Sequence, residues 1–472
     1  MTDRKSFLRI WTALAAVTAI LVVYSQTLSL TWDEGFHLVA AQLIRAGKKP
    51  YVDFLFAQTP LNAYWNALWF SLAGQTWHTA HALAALESAG AVALTTDYLL
   101  RRFPLPEWRF TVALASVFLV GLNVVVVEYG TLGQAYGLCL LLIVLAFRFT
   151  VARWNGWCGL AGLAAGAAAS SSLLTFPVAP VLLLWILWRK RSGAIPFLLG
   201  AAVALIPMLR LFLAAPHQVI FDVMDYHLFY RQAQWDNWFS HDLEVLVSWL
   251  DCFHALVLGV LALIGAASLR RNGWDPDVRR EFILAGWLAV ALGAYLMTAH
   301  PTFQRYFLLM TPFTAILAAA GIPVLAAKIG LSAGARWPVL LLAILMSASL
   351  ARDMHEDRDD NWYNIEPIAR KVDEVTAPGA MLYADEHVYF LTGRIPPTGL
   401  EWNGAHKVDL PMDKAGPLHI LPRAELVRRV KAGVYATVET CGQGEPADLG
   451  LDAVYRQHAE VKDCFVYWDR RP

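Results

Sequence analysis

Eleven long apolar segments dominate the first 350 residues of this 472-residue chain. A run of about 20 apolar residues crosses a bilayer as a helix, because lipid offers no partner for exposed backbone groups. The sequence therefore predicts an α-helical polytopic membrane protein of about 11 spans. The expected spans are roughly residues 9–29, 80–100, 110–127, 131–149, 156–174, 176–188, 195–214, 246–268, 282–299, 307–327 and 337–350.

Charged residues are distributed unevenly along the chain. The first 350 residues hold 40 Asp, Glu, Lys and Arg, whereas the last 122 hold 36, a density close to that of soluble domains. We expect a membrane part at residues 1–350, with an outer loop at 30–79, and a small soluble α/β domain at 351–472. The formal net charge is zero, so no basic surface is available for a nucleic acid partner.

The Lys and Arg residues of the apolar part favour one side of the membrane. One set of alternate loops holds 17 of them and the other set holds 6, and loops rich in Lys and Arg stay in the cytoplasm. The N-terminus is therefore expected in the cytoplasm, and an odd number of spans places residues 351–472 outside. In a Gram-negative cell this arrangement corresponds to the inner membrane and a periplasmic domain.

The outer segments and the C-terminal part carry their own secondary-structure signals. The apolar positions of GFHLVAAQLIRAG recur at helical spacing up to Gly47, and LNAYWNALWFSLAG predicts a helix that ends at Gly74. The C-terminal part is expected to contain both helices and short strands. The expected helices are residues 365–375 and 424–432, and the expected strands are residues 380–384, 387–391 and 434–439.

The five cysteines fall into two groups. Cys139 and Cys158 lie in expected spans, and Cys252 lies near the start of another. Cys441 and Cys464 lie in the expected external domain, where the compartment is oxidising. We expect these two to form a disulfide, and two separate buried thiols are the alternative. No CxxC or His/Cys spacing indicates structural zinc.

An adjacent pair of acids, Asp33 and Glu34, stands where the first expected span leaves the outer face. A carboxylate at this level can act as a general base towards an acceptor hydroxyl while a lipid-borne donor lies in the membrane. The alternative is structural, because acids mark membrane interfaces and Asp is favoured at a helix N-terminus. The pair alone leaves both interpretations open.

The acidic pair is followed in order by an amphipathic helix and a PYxDFxxxxxPL segment. This order resembles the GT-C superfamily of polyprenyl-phosphate-sugar glycosyltransferases. Within it, the chain is similar to bacterial relatives of dolichyl-phosphate-mannose–protein mannosyltransferase and of lipid A aminoarabinose transferase. HPTFQRYFLLMTPF at 300–313 and GAMLYADEHVYFLTGRIPPT at 379–398 resemble two later stretches of these proteins. The matching residues of the first loop are Asp33, Glu34, Gly47, Pro50, Tyr51, Asp53, Phe54, Pro60 and Leu61.

The resemblance implies a GT-C-like fold and an inverting glycosyltransferase. Such an enzyme moves a hexose or pentose from a polyprenyl-phosphate-linked donor to a hydroxyl of a glycan, lipid or protein. Asp33, with Glu34 beside it, is then the catalytic base, and cations or a metal meet the charge of the leaving phosphate. Aminoarabinose transferases carry a Glu-Lys pair where this chain has Gln58 and Thr59. The sequence therefore identifies no certain cofactor and leaves a divalent metal open.

Five further residues near the outer face are candidates for substrate binding. Glu128 suits a substrate or metal contact, or marks the membrane interface. Arg305 and His300 lie at the outer end of the tenth expected span, where a guanidinium suits phosphate or reaches to the interface. Arg210 lies near the outer end of the seventh, where an unpaired charge is costly. Asp53 either orders its own loop or contacts substrate.

The second outer segment is aromatic and polar, which suits either sugar binding or an interfacial belt. Its candidate residues are Asp222, Asp225, His227, Tyr230 and Trp235.

Two other classes of function stay open. A lipid or sugar transporter or flippase would favour charges inside the spans, broken helices and inverted repeats. A membrane-anchored binding protein would use residues 351–472 as its binding module.

Overall fold

The computed structural model describes residues 4–27, 30, 33–231, 237–269, 274–333, 335, 337–356, 365–441 and 445–472. Trp235, a candidate of the second outer segment, lies outside the described residues. The chain divides into two compact units. Unit 1 comprises Met1–Thr27, His81–Ile206 and Trp235–Asp360, and unit 2 comprises Leu28–Ala80, Pro207–Gln234 and Asn361–Pro472.

Helices account for most of the chain up to residue 356. Every one of the expected apolar segments is helical over most of its length, although two of them are broken near residues 122 and 252. The helices are α1 (Arg4–Ser25), α2 (Glu34–Arg45), α3 (Leu61–Ala73), α4 (Trp77–Arg102), α5 (Arg109–Gly121), α6 (Val124–Tyr129), α7 (Tyr136–Val151), α8 (Trp157–Ser171), α9 (Val178–Arg189), α10 (Ala194–Ala214), α11 (Pro216–Ile220), α12 (Trp238–Asp251), α13 (Phe253–Ser268), α14 (Pro276–Leu296), α15 (Thr311–Lys328) and α16 (Trp337–Glu356).

Four helical stretches of the described chain are long and apolar enough to cross a membrane. These stretches are Phe7–Ser25, Arg191–Ala214, Gln304–Lys328 and Trp337–His355. The bent pair α12 and α13, whose axes differ by 79°, makes a fifth if it is counted as one span.

Helices α13 and α15 approach each other closely because glycines lie at their contact. A Cβ atom at Gly265 would lie 1.9 Å from the carbonyl oxygen of Leu317, and one at Gly321 would lie 2.1 Å from that of Leu261. Small residues at a crossing allow backbones to pack directly, as in membrane helix pairs.

Unit 2 contains a four-stranded mixed sheet in the order β1-β2-β4-β3. Strand β1 (Leu382–Tyr383) pairs parallel to β2 (Thr437–Thr440), and β2 and β3 (Tyr455–Val461) both pair antiparallel to β4 (Cys464–Arg470). A disulfide joins Cys441 to Cys464, with the two sulfur atoms 1.97 Å apart. It links the end of β2 to the start of its neighbour.

The helices of the C-terminal part surround this sheet. They are α17 (Glu366–Val375), α18 (Glu386–Thr392), α19 (Met412–Ala415), α20 (Arg423–Lys431), α21 (Glu445–Leu449) and α22 (Leu451–Val454). The helices expected at 365–375 and 424–432, and the strands expected at 380–384 and 434–439, are confirmed. One buried cluster joins both outer segments to this part; it contains Leu55, Ala57, Phe221, Tyr226, Ala405, Val408, Ala415 and Ile420.

The strand expected at residues 387–391 is wrong, because these residues form helix α18. The aromatic and β-branched residues of HVYFL favour a strand when considered alone. The Asp385 side chain, however, caps the helix by accepting the N–H of His387, and Gly393 ends it with a φ of 67°. Caps at both ends therefore decide the conformation of this segment.

Candidate functional site

Asp33 is the N-cap residue of α2, yet its side chain accepts no capping hydrogen bond from that helix. The residue is partly exposed, and the helix N-terminus provides a favourable environment for a negative charge. Glu34 follows as the first residue of the helix and is fully buried. The acidic pair therefore divides into one residue that is partly exposed and one that is buried.

Gly35 brings the first turn of α2 against α18. Its N–H donates to Nε2 of His387 over 3.2 Å. A Cβ atom at position 35 would lie 2.6 Å from Cγ of Glu386 and 2.9 Å from the His387 ring. Only a glycine permits this approach, so the residue after the acidic pair determines where the start of α2 is held.

Asp385 fixes the orientation of the His387 ring. Its Oδ1 accepts from Nδ1 of His387 at 2.5 Å, and its Oδ2 accepts from Nδ2 of Asn403 at 2.7 Å. The N–H of Asp385 donates to Glu439 at 2.9 Å, and the N–H of Asn403 donates to Glu386 at 3.1 Å. A continuous set of hydrogen bonds therefore runs from β2 to the start of α2.

Burial shifts the protonation of these groups. It raises the pKa of Glu386 and of Glu439 to about 8 each, and the charge of Asp385 adds to both shifts. Burial alone lowers the pKa of His387, and the charge of Asp385 opposes that shift. A doubly protonated ring would place two N–H donors face to face, so the bond from Gly35 requires a bare Nε2. We therefore assign the neutral tautomer with the proton on Nδ1.

The carboxyl network borders a cavity of about 490 Å³ within unit 2. Asp385, Asn403 and Glu439 line it together with Lys407 and Arg423.

Asp53 orders a turn in the first outer segment. Its Oδ2 accepts the N–H of Lys49 at 2.7 Å. The neighbouring Tyr51 adopts a positive φ of 66°, and its hydroxyl donates to the carbonyl of Gln58 at 2.5 Å. Asp53 thus has a turn-forming role, and its contact with substrate stays a prediction.

Asp222 and His227 of the second outer segment hold the first outer segment. Asp222 accepts the N–H of Phe56 at 2.8 Å, and Nε2 of His227 lies 2.8 Å from the carbonyl oxygen of Ala57. Burial raises the pKa of Asp222 well above its usual value and lowers that of His227 to about 4. Tyr230 packs against the buried cluster beside them. These residues therefore have a packing role, which differs from both expected roles, sugar binding and an interfacial belt.

In unit 1, Glu128 and Arg305 lie on adjacent segments. Helix α6, which carries Glu128, packs against the 3₁₀ helix Gln304–Met310, which carries Arg305. The guanidinium carbon of Arg305 lies 4.4 Å from the ring centre of Phe303 and 5.9 Å from that of Tyr306. Aromatic faces thus hold this cation by cation–π attraction.

His300 is engaged by a buried carboxylate. Its Nδ1 bonds to Oδ2 of Asp242, whose Oδ1 accepts the N–H of Thr302 at 2.7 Å. The His300 ring also packs on Trp238, with ring centres 4.1 Å apart. These contacts give His300 a structural role, and its substrate contact stays a prediction.

Two groups of predicted site residues are brought together, each within its own unit. Asp33 and Glu34 lie in unit 2, as does the Asp385–His387 network, and Glu128 and Arg305 lie on packed segments of unit 1. Arg210 is exposed on α10. Asp385 and His387 are not predicted as site residues from the sequence, although the adjacent acids and histidine of ADEH break an otherwise apolar run.

Among the described residues, Glu128 belongs to no group of three close metal-ligating side chains. Glu439, Cys441 and Cys464 form such a group, but the two sulfur atoms are bonded to each other and cannot act as thiolate ligands.

Comparison with known proteins identifies the fold. No protein-family model and no curated protein matches the chain. Solved structures that match it include ArnT from Cupriavidus metallidurans bound to undecaprenyl phosphate, and the same protein in the apo state. Each has a TM-score of 0.69 over 98% of both chains, at 14% and 15% sequence identity. The chain therefore has the fold of ArnT over 98% of its length, and the expected mostly helical fold with a small C-terminal sheet is confirmed.

Proposed function

We propose that the protein is an inverting glycosyltransferase. It transfers a sugar from a polyprenyl-phosphate-linked donor to an acceptor hydroxyl at the outer face of the cytoplasmic membrane. The proposal rests on Asp33, a partly exposed carboxylate that does not cap its own helix and that stands on a turn held by His387. The fold supports it, because ArnT has been solved with undecaprenyl phosphate bound.

Asp33 acts as the general base. The acceptor O–H bond breaks as its proton passes to the Asp33 carboxylate, and the acceptor oxygen bonds to the anomeric carbon. The bond from that carbon to the phosphate oxygen breaks, and its electron pair leaves on the polyprenyl phosphate. In-line displacement inverts the anomeric carbon through an oxocarbenium-like transition state. Glu34, enclosed behind Asp33, is a positioning residue.

The leaving phosphate requires positive charge. Arg305 is the first candidate, because aromatic rings hold its guanidinium and this group matches phosphate oxygens in pairs. Arg210 is the second, and His300 and Glu128 are candidates for contacts to the sugar. Asp53 shapes the loop that follows α2. A divalent metal would supply the same neutralisation of charge.

The proposal includes a topology. Eleven spans within residues 1–350 place the N-terminus in the cytoplasm and residues 351–472 outside. The donor is a hexose or pentose on polyprenyl phosphate, and the acceptor is a hydroxyl of a glycan, lipid or protein.

A two-step experiment tests the proposal. Lipids are extracted from a strain that carries only the Asp33→Asn variant, and the polyprenyl-phosphate sugar that accumulates is isolated. This lipid is then given to the purified wild-type protein and to Asp33→Asn, together with membranes of the variant strain as acceptor. We expect the wild type to release polyprenyl phosphate at least about 100-fold faster than the variant.

Asp413→Asn is the matched control, because it makes the same substitution at an exposed residue of α19. It is expected to release polyprenyl phosphate at the wild-type rate. Equal release by the wild type and a folded Asp33→Asn variant would exclude Asp33 as the base. Movement of the lipid across sealed vesicles without a glycosylated product would instead identify a transporter.

A further inference from the structure

The break between α12 and α13 presents a cysteine to two other ligand-type side chains. Cys252 interrupts the helices with an extended backbone, at φ −66° and ψ 128°, where the helix axes turn by 79°. His254 lies two residues later on α13 and is 1% exposed. Asp353, near the end of α16, reaches the same place. All three residues belong to unit 1.

One nitrogen of His254 faces both neighbours. Its Nδ1 lies 3.7 Å from Sγ of Cys252 and 3.5 Å from Oδ2 of Asp353. The three potential ligand atoms lie within 4.8 Å of one another. A sulfur, a nitrogen and an oxygen therefore surround one point; two of them come from the bend at Cys252 and the third comes from α16.

The other nitrogen of His254 fixes the tautomer. Its Nε2 lies 3.0 Å from the carbonyl oxygen of Met346, which can only accept, so Nε2 carries a proton. In the neutral ring the lone pair then sits on Nδ1 and points towards the thiol and the carboxylate. Histidines that bind metals have the same arrangement, in which the second ring nitrogen donates to a carbonyl or carboxylate.

A nucleophilic triad does not explain the cluster. In such triads the histidine contacts the nucleophile through one ring nitrogen and the acid through the other. Here Cys252 and Asp353 share Nδ1, and Nε2 is occupied by a backbone carbonyl. No proton relay from thiol to carboxylate through the ring is available.

The distances agree with the edges of a coordination tetrahedron. Zinc bonds of about 2.0–2.3 Å at tetrahedral angles place a nitrogen roughly 3.4 Å from an oxygen and roughly 3.6 Å from a sulfur. The observed separations are 3.5 Å and 3.7 Å, and the first of these is longer than an ordinary hydrogen bond between nitrogen and oxygen. Three ligands of this kind leave the fourth position for water.

We propose that Cys252, His254 and Asp353 bind a zinc ion. Binding replaces the thiol proton of Cys252, which passes to solvent, by a sulfur–zinc bond. Ser349 stands next to the carboxylate, with its Oγ 3.4 Å from Oδ2 of Asp353. The ion connects the bend at Cys252 to α16, the last described helix of unit 1. This site is independent of the transfer reaction proposed above.

The test is metal binding by the full-length, untagged protein in detergent. Zinc content is measured by mass spectrometry of the element, and Co²⁺ is titrated into chelator-treated protein as a spectroscopic probe. The wild type is expected to hold about one zinc per chain and to show a thiolate-to-cobalt charge-transfer band. Cys252→Ser is expected to lose this band and to bind zinc at least about 100-fold more weakly.

Cys158→Ala is the matched control, because Cys158 is a free, buried cysteine of the same unit. It is expected to keep both the zinc and the band. Asp353→Asn is expected to weaken zinc binding while it keeps the band, which shows that the sulfur still binds in a folded protein. The proposal is overturned if the wild type shows no thiolate band, or if it binds no more zinc than Cys252→Ser.

Discussion

Two helices of unit 2 begin with nearly the same residues and use their aspartates differently. Helix α2 follows the sequence Asp33–Glu34–Gly35, and α18 follows Asp385–Glu386–His387. In both, the glutamate is buried at the first helical position. The carboxylate before α18 accepts three hydrogen bonds, whereas the one before α2 accepts no capping bond from its own helix.

The third residue of each sequence explains the difference. His387 donates both its backbone N–H and its ring N–H to Asp385, so that this aspartate is committed to structure. Gly35 has no side chain, so the His387 ring can approach closely and accept the backbone N–H of Gly35. At the start of α2, a contact from another element therefore accompanies an aspartate that does not cap its own helix.

The largest expected effect is on turnover, and it separates the two aspartates. Asp33→Asn is expected to slow release of polyprenyl phosphate by about 100-fold or more without a change in melting temperature. Asp385→Asn is expected to lower the melting temperature and to slow turnover less. Initial rates and thermal unfolding in detergent measure both. Equal effects of the two variants on both quantities would show that the aspartates do not differ in role.

The next effect is on stability, where the Asp385 variant is expected to lose more than the Asp33 variant. Asp385→Ala leaves the buried Nδ1–H of His387 and the amide of Asn403 without their acceptor. We expect a loss of about 3 kcal/mol, since each buried unpaired donor costs about 1–3 kcal/mol. Asp33→Ala is the matched control, and its free energy of unfolding is expected to lie within about 0.5 kcal/mol of that of the wild type. A larger loss in Asp33→Ala than in Asp385→Ala would contradict the comparison.

A smaller effect is expected where the helices touch. Gly35→Ala places a Cβ atom 2.6 Å from Cγ of Glu386, and overpacking of this kind costs about 1–3 kcal/mol. Displacement of the first turn of α2 should also slow turnover. The control is Gly416→Ala, because nothing lies within 4 Å of a Cβ there and φ is −56°. If Gly35→Ala matches this control, α2 is not held by the contact with α18.

Local sequence patterns predicted helix α2, but they did not predict its contact with α18. The apolar spacing of the first outer segment gave α2, whose residues Phe36, Leu38 and Val39 are all buried. Gly47 and Gly74 adopt positive φ just beyond the helices they were expected to end. The bond from Gly35 to His387 joins residues 352 positions apart. No spacing in the sequence encodes a contact at that distance.

The errors have local causes. The segment at 387–391 was expected to be a strand because β propensity was weighed without the cap at Asp385. Strand β3 went unpredicted because it is largely exposed and polar, with only Tyr455 fully buried. The proposed zinc ligands Cys252, His254 and Asp353 were not predicted, because no ligand spacing links them in the sequence. They come together only through the bend at Cys252 and helix α16.

The smallest expected effect is the change of melting temperature with pH, which tests whether the buried glutamate of α18 is neutral. The pKa of Glu386 is about 8 in the folded protein, against an ordinary value of 4.5. The folded state therefore keeps a proton that the unfolded chain releases between these values. The stability that this proton contributes is fully present below pH 4.5 and is lost as the pH rises through 8. The wild type is thus expected to melt a few degrees lower at pH 8 than at pH 5.5.

Glu386→Gln cannot ionise, so its melting temperature should fall less over the same range. The fall should persist in part, because Glu439 also has a raised pKa and acts with the same sign. Glu425→Gln is the control, since its arginine partners lower the pKa of Glu425 to about 2, outside the window. A slope in Glu386→Gln equal to that of the wild type would mean that this carboxyl is charged throughout. That charge beside His387 would favour a doubly protonated ring, which cannot accept the N–H of Gly35, and the restraint that distinguishes α2 from α18 would then be absent.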